Sequence, residues 1–309
     1  MKHTVKITLV LIAMFFIAQL IGIAVINLYS PTEIPGNISN ETIKQYNLPY
    51  GMNPPQDTTP QSSLMSIVIA IAVGVILILI LMKIKAEIFL RVWFFLVIIL
   101  ALGIAINSVL QGVKYGSLIA VIIALPLAIY KVFKRNILVH NITEILIYPG
   151  IAVIIAPLLN LWTVVVLLVL ISIYDIYAVW HAKFMQKMAT YQIQKVRVFS
   201  GFFIPYVRKE DKALIAKLKK SKNKNKKVKV SVAILGGGDV VFPIILAGVV
   251  LMAFGFLAAL IIAIGATIAL AGLFYYSEKG RFYPAMPFIS SGCLIALGIV
   301  FLLKFINLI

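Results

Sequence analysis

Nine stretches of this chain stay apolar for about twenty residues each, the length that carries an α-helix across ~30 Å of hydrocarbon. They lie near 5–28, 64–82, 89–107, 116–133, 138–157, 159–180, 231–252, 255–274 and 283–306. Inside lipid no water pairs with backbone amides and carbonyls, so each stretch must satisfy its own as a helix. The expected fold class is therefore all-α, a polytopic membrane protein with nine transmembrane helices. Pro157, followed by Leu158, Leu159 and Asn160, divides one overlong run into spans five and six. Composition agrees: of 309 residues 62% are hydrophobic and 12% charged, where a soluble domain carries about a quarter charged residues.

A net charge of +18 raises the question of nucleic acid, and the distribution answers against it. Thirteen lysines, with Arg197 and Arg208, fall between His181 and Ser231. The remaining basic residues sit in short connectors. Residues 29–63 hold Lys44 alone; the next connector holds Lys83, Lys85 and Arg91, and the one after it only Lys114. Lys131, Lys134 and Arg135 follow, then an uncharged turn at Asn160, the lysine-rich loop, an uncharged turn at 253–255, and finally Lys279 with Arg281. Rich and poor connectors alternate throughout. The positive-inside rule then puts the N-terminus inside and the C-terminus outside, with no nucleic-acid partner and multi-pass residence in the cell membrane.

Three parts follow from this pattern. Residues 1–180 carry spans one to six, with 29–63 as an external loop. Residues 181–230 form a basic cytoplasmic loop, and 231–309 carry spans seven to nine. The first apolar run is too long for a cleaved signal peptide and is expected to stay as a helix. Asn37-Ile38-Ser39 and Asn40-Glu41-Thr42 match the N-glycosylation pattern. Residues 209–229, mostly Lys, Asn and small side chains, are expected to be disordered or to lie on the anionic headgroups of the bilayer.

The chemistry-bearing residues are few. One cysteine, Cys293, excludes an intramolecular disulfide and any cysteine metal cluster, and His3, His140 and His181 stand at span ends without ligand spacing. No metal and no cofactor beyond a catalytic water is expected. Of ten acidic residues, Glu33, Glu41, Asp57, Glu87, Glu144, Glu210, Asp211 and Glu278 fall in connectors or at span edges. Asp175 and Asp239 fall inside apolar spans, where an ionisable side chain costs at least ~2.5–3.5 kcal/mol. No Lys, Arg or His stands at matching depth to neutralise either.

Asp175 lies six residues from His181 and Asp239 eight from Ser231, so at 1.5 Å per residue both sit roughly 9–12 Å inside the cytoplasmic face. Adjacent spans thus present two carboxyls that can meet. Such a pair can share one proton, the ionised partner activating water as general base while the protonated partner hydrogen-bonds a carbonyl. That arrangement hydrolyses a peptide bond. Gly236, Gly237 and Gly238 loosen the backbone before Asp239 and admit close approach of another chain. Pro284-Ala285-Met286-Pro287 leaves backbone groups free near the start of the last span, where an extended substrate could pair with them.

These residues resemble a known family. Tyr174-Asp175 looks like the YD motif of the presenilin and signal peptide peptidase family, and Gly236-Gly237-Gly238-Asp239 fits its GxGD motif with Gly237 at the variable position. Pro284-Ala285-Met286 resembles its PAL motif, with Met in place of Leu. Nine spans and a long loop between the sixth and seventh extend the resemblance over the whole chain. It implies intramembrane aspartyl proteolysis with Asp175 and Asp239 catalytic. Tyr174, the three glycines, Pro284, Ala285, Met286 and the adjoining Pro287 would shape the site. It also implies transmembrane or signal-peptide substrates and, by similarity to microbial members, no obligatory accessory subunit. Prepilin peptidases share GxGD but have fewer spans and no PAL-like element. A cation or proton transporter using the same two aspartates is the alternative from another class; a scaffold would leave both acids unexplained.

Overall fold

A computed structural model of the protein describes residues 5–35, 42–55, 58–134, 136–181, 184–196, 198–206, 231–277 and 283–307. The glycosylation asparagines and residues 209–229 lie outside the described residues. Nine of the described helices are long and apolar enough to span a membrane. They are α1 (Val5–Leu28), α2 (Pro60–Lys83), α3 (Glu87–Asn107), α4 (Gly116–Ile129, extended by a π turn Tyr130–Lys134), α5 (Ile137–Ile155) and α6 (Leu161–Ile176, extended by a π turn Tyr177–His181). After a short α7 (Phe184–Tyr191) come α8 (Gly237–Phe254), α9 (Phe256–Tyr276) and α10 (Met286–Phe305).

Polar side chains cap the starts of α2, α5 and α6. Thr59 accepts the Ser62 amide ahead of Pro60, and Asn136 accepts the amides of Leu138 and Val139. Between α5 and α6 a 3₁₀ turn, Ala156–Leu158, contains Pro157, and Asn160 forms a reciprocal capping box with Thr163. The division of spans five and six at Pro157 is thus realised by a turn and a fresh cap.

The bundle is organised around α8, which has the most buried span (56%) and packs on α1, α5, α6, α9 and α10. By contrast α2 buries only 6% of its span and stands at the periphery. Helices α9 and α10 meet at Gly265 and Gly292, where a Cβ on either would fall under 3 Å from the other's carbonyl oxygen. Small residues here let two membrane helices approach backbone to backbone.

The all-α expectation needs one amendment. Among the described residues two small antiparallel sheets accompany the bundle. One is β1 (Thr32–Pro35) with β2 (Thr42–Gln45), and the other is β3 (Gly201–Tyr206) with β4 (Ser231–Gly236). The second matters for function, because β4 runs straight into α8. Residues 231–236, read from sequence as the first turns of span seven, are extended, and the helix begins only at Gly237.

Candidate active site

Asp175 occupies the last turn of α6, one residue before its end and just ahead of the π turn. Its side chain is 5% exposed. A carboxyl so placed needs a donor, and the start of α10 provides it. The Met286 amide donates to Asp175 Oδ2 at 3.0 Å. This is the first amide of α10, which has no partner inside its own helix. One turn earlier on α6, Ser172 donates to Ser290 Oγ at 3.0 Å and ties the same two helices together. The Met286 amide is therefore engaged by Asp175 and is not free for an extended substrate, contrary to the expectation for that element.

Asp239 is reached from the other side. Gly236 is the N-cap of α8 in extended conformation (ψ 147°), which makes Asp239 the third residue of the helix. Its carboxyl turns back over Gly236, where a Cβ would lie 3.2 Å from Oδ2, at the helix end that favours negative charge. The eight-residue helical path from Ser231 to Asp239 is thus corrected: its first six residues are strand, which rises about 3.3 Å per residue against 1.5 Å in helix. Val240, the next residue, has its carbonyl held by Gln19 Nε2 at 3.1 Å, from the buried face of α1.

The two carboxyls come from α6 and α8, which pack on one another and both on α10. Around them the structure sets Met286 against Asp175 and Gly236 against Asp239, with Ala285 and Gly237 next to them in the chain. Tyr174 is half-buried beside Asp175, Pro284 is buried, and Pro287 lies in the first turn of α10. Gly238 stands apart: it is exposed, and a Cβ there would meet only the Phe242 ring, at 3.7 Å. The constrained glycine is Gly237, where a Cβ would fall 2.8 Å from Ser200 Oγ and 2.9 Å from the Tyr148 ring. Among the described residues no group of three or more His, Cys, Asp or Glu is placed to hold a metal.

Sequence reasoning missed the polar groups behind the site. Glu144, placed at a span edge, is 1% exposed inside the bundle and ion-paired with buried Lys131. His140, Glu144 and Tyr148 follow one another at four-residue spacing, a signal that one face of α5 is not apolar.

The profile of the family described as signal-peptide peptidase, presenilin aspartyl protease matches residues 41–306. The chain belongs to this family. As a member it is an aspartic, intramembrane-cleaving endopeptidase and a multi-pass membrane protein. The ion-carrier alternative gives way to that assignment. Two solved crystal forms of a presenilin family intramembrane aspartate protease share the fold. The C222 form is 20% identical with a TM-score of 0.60, over 96% of this chain and 99% of that one. The P2 form is 19% identical with a TM-score of 0.58, over 95% and 96%. Among curated proteins none matches the chain.

Proposed function

We propose that Asp175 and Asp239 act as one catalytic dyad that hydrolyses peptide bonds within transmembrane segments or signal peptides of other proteins. The observation that carries this is the convergence of two otherwise unexplained carboxyls, Asp175 held by the Met286 amide and Asp239 turned back over Gly236, at the junction of α6, α8 and α10. Two such groups hold one proton between them. The deprotonated member takes a proton from water as the water attacks the scissile carbonyl, while the protonated member donates to the carbonyl oxygen. Proton return to the leaving amine then collapses the tetrahedral species. The chemistry calls for no metal, cofactor or accessory subunit.

The β3–β4 sheet supports a way of presenting the substrate. The outer edge of β3 is taken up by α5: Asn141 brackets the Phe203 carbonyl and amide at 3.0 Å each, and His140 Nε2 contacts the Gly201 carbonyl at 2.8 Å. Phe203 pairs with Ile234, so the backbone of Ile234 also turns outward from the sheet. The edge of β4 carries no strand among the described residues. An extended substrate adding to that edge would run directly toward Asp239. Unwinding the substrate's helix into a strand exposes its bond for attack.

In the proposed orientation the basic connectors face the cytoplasm of the cell membrane, and the site opens from the cytoplasmic half. Purified protein in liposomes with a labelled single-span substrate tests the reading. Mass spectrometry of the products should place the cut inside the substrate's span. Flux of cations or protons that depends on both aspartates, with no cleavage, would overturn it.

A further inference from the structure

Glu144 is a buried acid that the dyad leaves unexplained. With His140 and Tyr148 it forms a polar stripe on the face of α5 that meets β3 and α8. Lys131, from the π turn closing α4, reaches Glu144 Oε1 at 2.5 Å, the side chains 2% and 1% exposed. His140 stands beside the pair with Nδ1 3.4 Å from Lys131 Nζ and Nε2 2.8 Å from the Gly201 carbonyl. A carbonyl only accepts, so the proton is assigned to Nε2, and Nδ1 turns its lone pair to the ammonium. Through this bond α5 holds Gly201, which lies opposite Gly236 in the sheet.

Tyr148 carries the stripe to the dyad. Its ring packs edge-on against Phe202 at 5.5 Å and abuts Gly237, where a Cβ would lie 3.2 Å from the phenol oxygen. The hydroxyl faces the Glu144 carboxylate and the Ser200 hydroxyl, within electrostatic reach of Asp239. It closes no well-formed hydrogen bond among the described residues, and Glu144 Oε2 is likewise open. Leaving buried polar atoms unpaired costs about 1–3 kcal/mol each. A small rotation of the phenol or one bridging water would join them. Nor is the ion pair itself an efficient stabiliser, since two apolar side chains of similar volume usually serve as well.

We propose that Tyr148 is a positioning residue for Asp239. In the working enzyme its hydroxyl bonds Glu144, and through it Lys131, and so ties α5 to the Ser200–Gly237 corner from which Asp239 projects. The inference rests on the dyad reading above. Tyr148 touches neither the attacking water nor the substrate in this scheme. It fixes the separation of the two carboxyls, and hence how strongly they share their proton.

The test compares three reconstituted variants with wild type: Tyr148→Phe, the apolar pair Lys131→Met with Glu144→Leu, and the combination. Tyr148→Phe should remain folded, with kcat lower by about 10-fold and KM within about twofold, the pattern of a lost transition-state interaction. Its bell-shaped pH profile should narrow, because carboxyls farther apart couple less and their two apparent pKa values draw together. The apolar pair, which strands no buried charge, should reproduce both effects and add little to Tyr148→Phe when combined. A folded Tyr148→Phe with wild-type kcat and wild-type profile width would overturn the proposal, as would a fully active apolar pair. A wild-type protein that cleaves nothing would instead overturn the dyad reading on which it stands.

Discussion

The amide of Met286 donates to the Asp175 carboxyl at 3.0 Å, across 111 residues of sequence. A motif on one span thereby orients a side chain on another through its backbone, so the identity of residue 286 matters less than its N–H. Met286→Leu keeps the donor and the volume, and its cleavage rate should stay within about twofold of wild type. Met286→Pro removes the donor and disfavours the helical backbone of Ala285 (ψ −33°). Its rate should fall at least about 10-fold, the scale of a hydrogen bond to a charged group.

The glycines before Asp239 are not equivalent. Gly237→Ala would drive a methyl into Ser200 and Tyr148, while Gly238→Ala makes only an ordinary van der Waals contact with the Phe242 ring, at 3.7 Å. Gly237→Ala should lower both the melting temperature and the cleavage rate, by about 1–3 kcal/mol in stability as overpacking does. Gly238→Ala should leave both near wild type. Rates and thermal melts of the two variants side by side check this, and the reverse order would contradict the packing described.

If substrate adds to the free edge of β4, the Ile234 amide is one of its anchors. Ile234→Pro deletes that N–H at an edge position where proline is tolerated by the sheet. KM for a single-span substrate should rise several-fold, by about one hydrogen bond's worth of binding, whereas Ile234→Val should leave it unchanged. Steady-state kinetics in liposomes of fixed composition distinguish the two.

Shared protonation sets the pH dependence. Below its optimum the pair gains a second proton and loses its base; above it the pair loses its last proton and its acid. Activity should fall on both sides, and the two limbs belong to the pair as a unit. A plain sigmoid with one limb, measured on kcat across the range in which the protein stays folded, would show that one carboxyl alone titrates in the reaction.

The spans were legible because lipid permits one backbone solution for a long apolar run. Pro157 and Asn160 marked the turn between α5 and α6 correctly. The strand at 231–236 was not legible: Val232, Ala233, Ile234 and Leu235 are as apolar as the helix they precede. Only pairing with β3, a contact distant in sequence, makes them extended. Asp175 and Asp239 were visible as acids in lipid. The donor that orients Asp175 was not, since it is a main-chain group with no letter in the sequence. Lys131 and Glu144 were misplaced for a different reason. Charges near span ends look like interfacial anchors until a neighbouring helix folds over them.

The central claim is that Asp175 and Asp239 are one catalytic unit, and the cleavage rates of Asp175→Ala, Asp239→Ala and the double variant test it most directly. Groups acting together fail together: each single substitution should abolish cleavage, and the double should be no worse than either. A single variant that retains more than about a tenth of the wild-type rate, or losses that multiply in the double as those of independent groups do, would contradict the account.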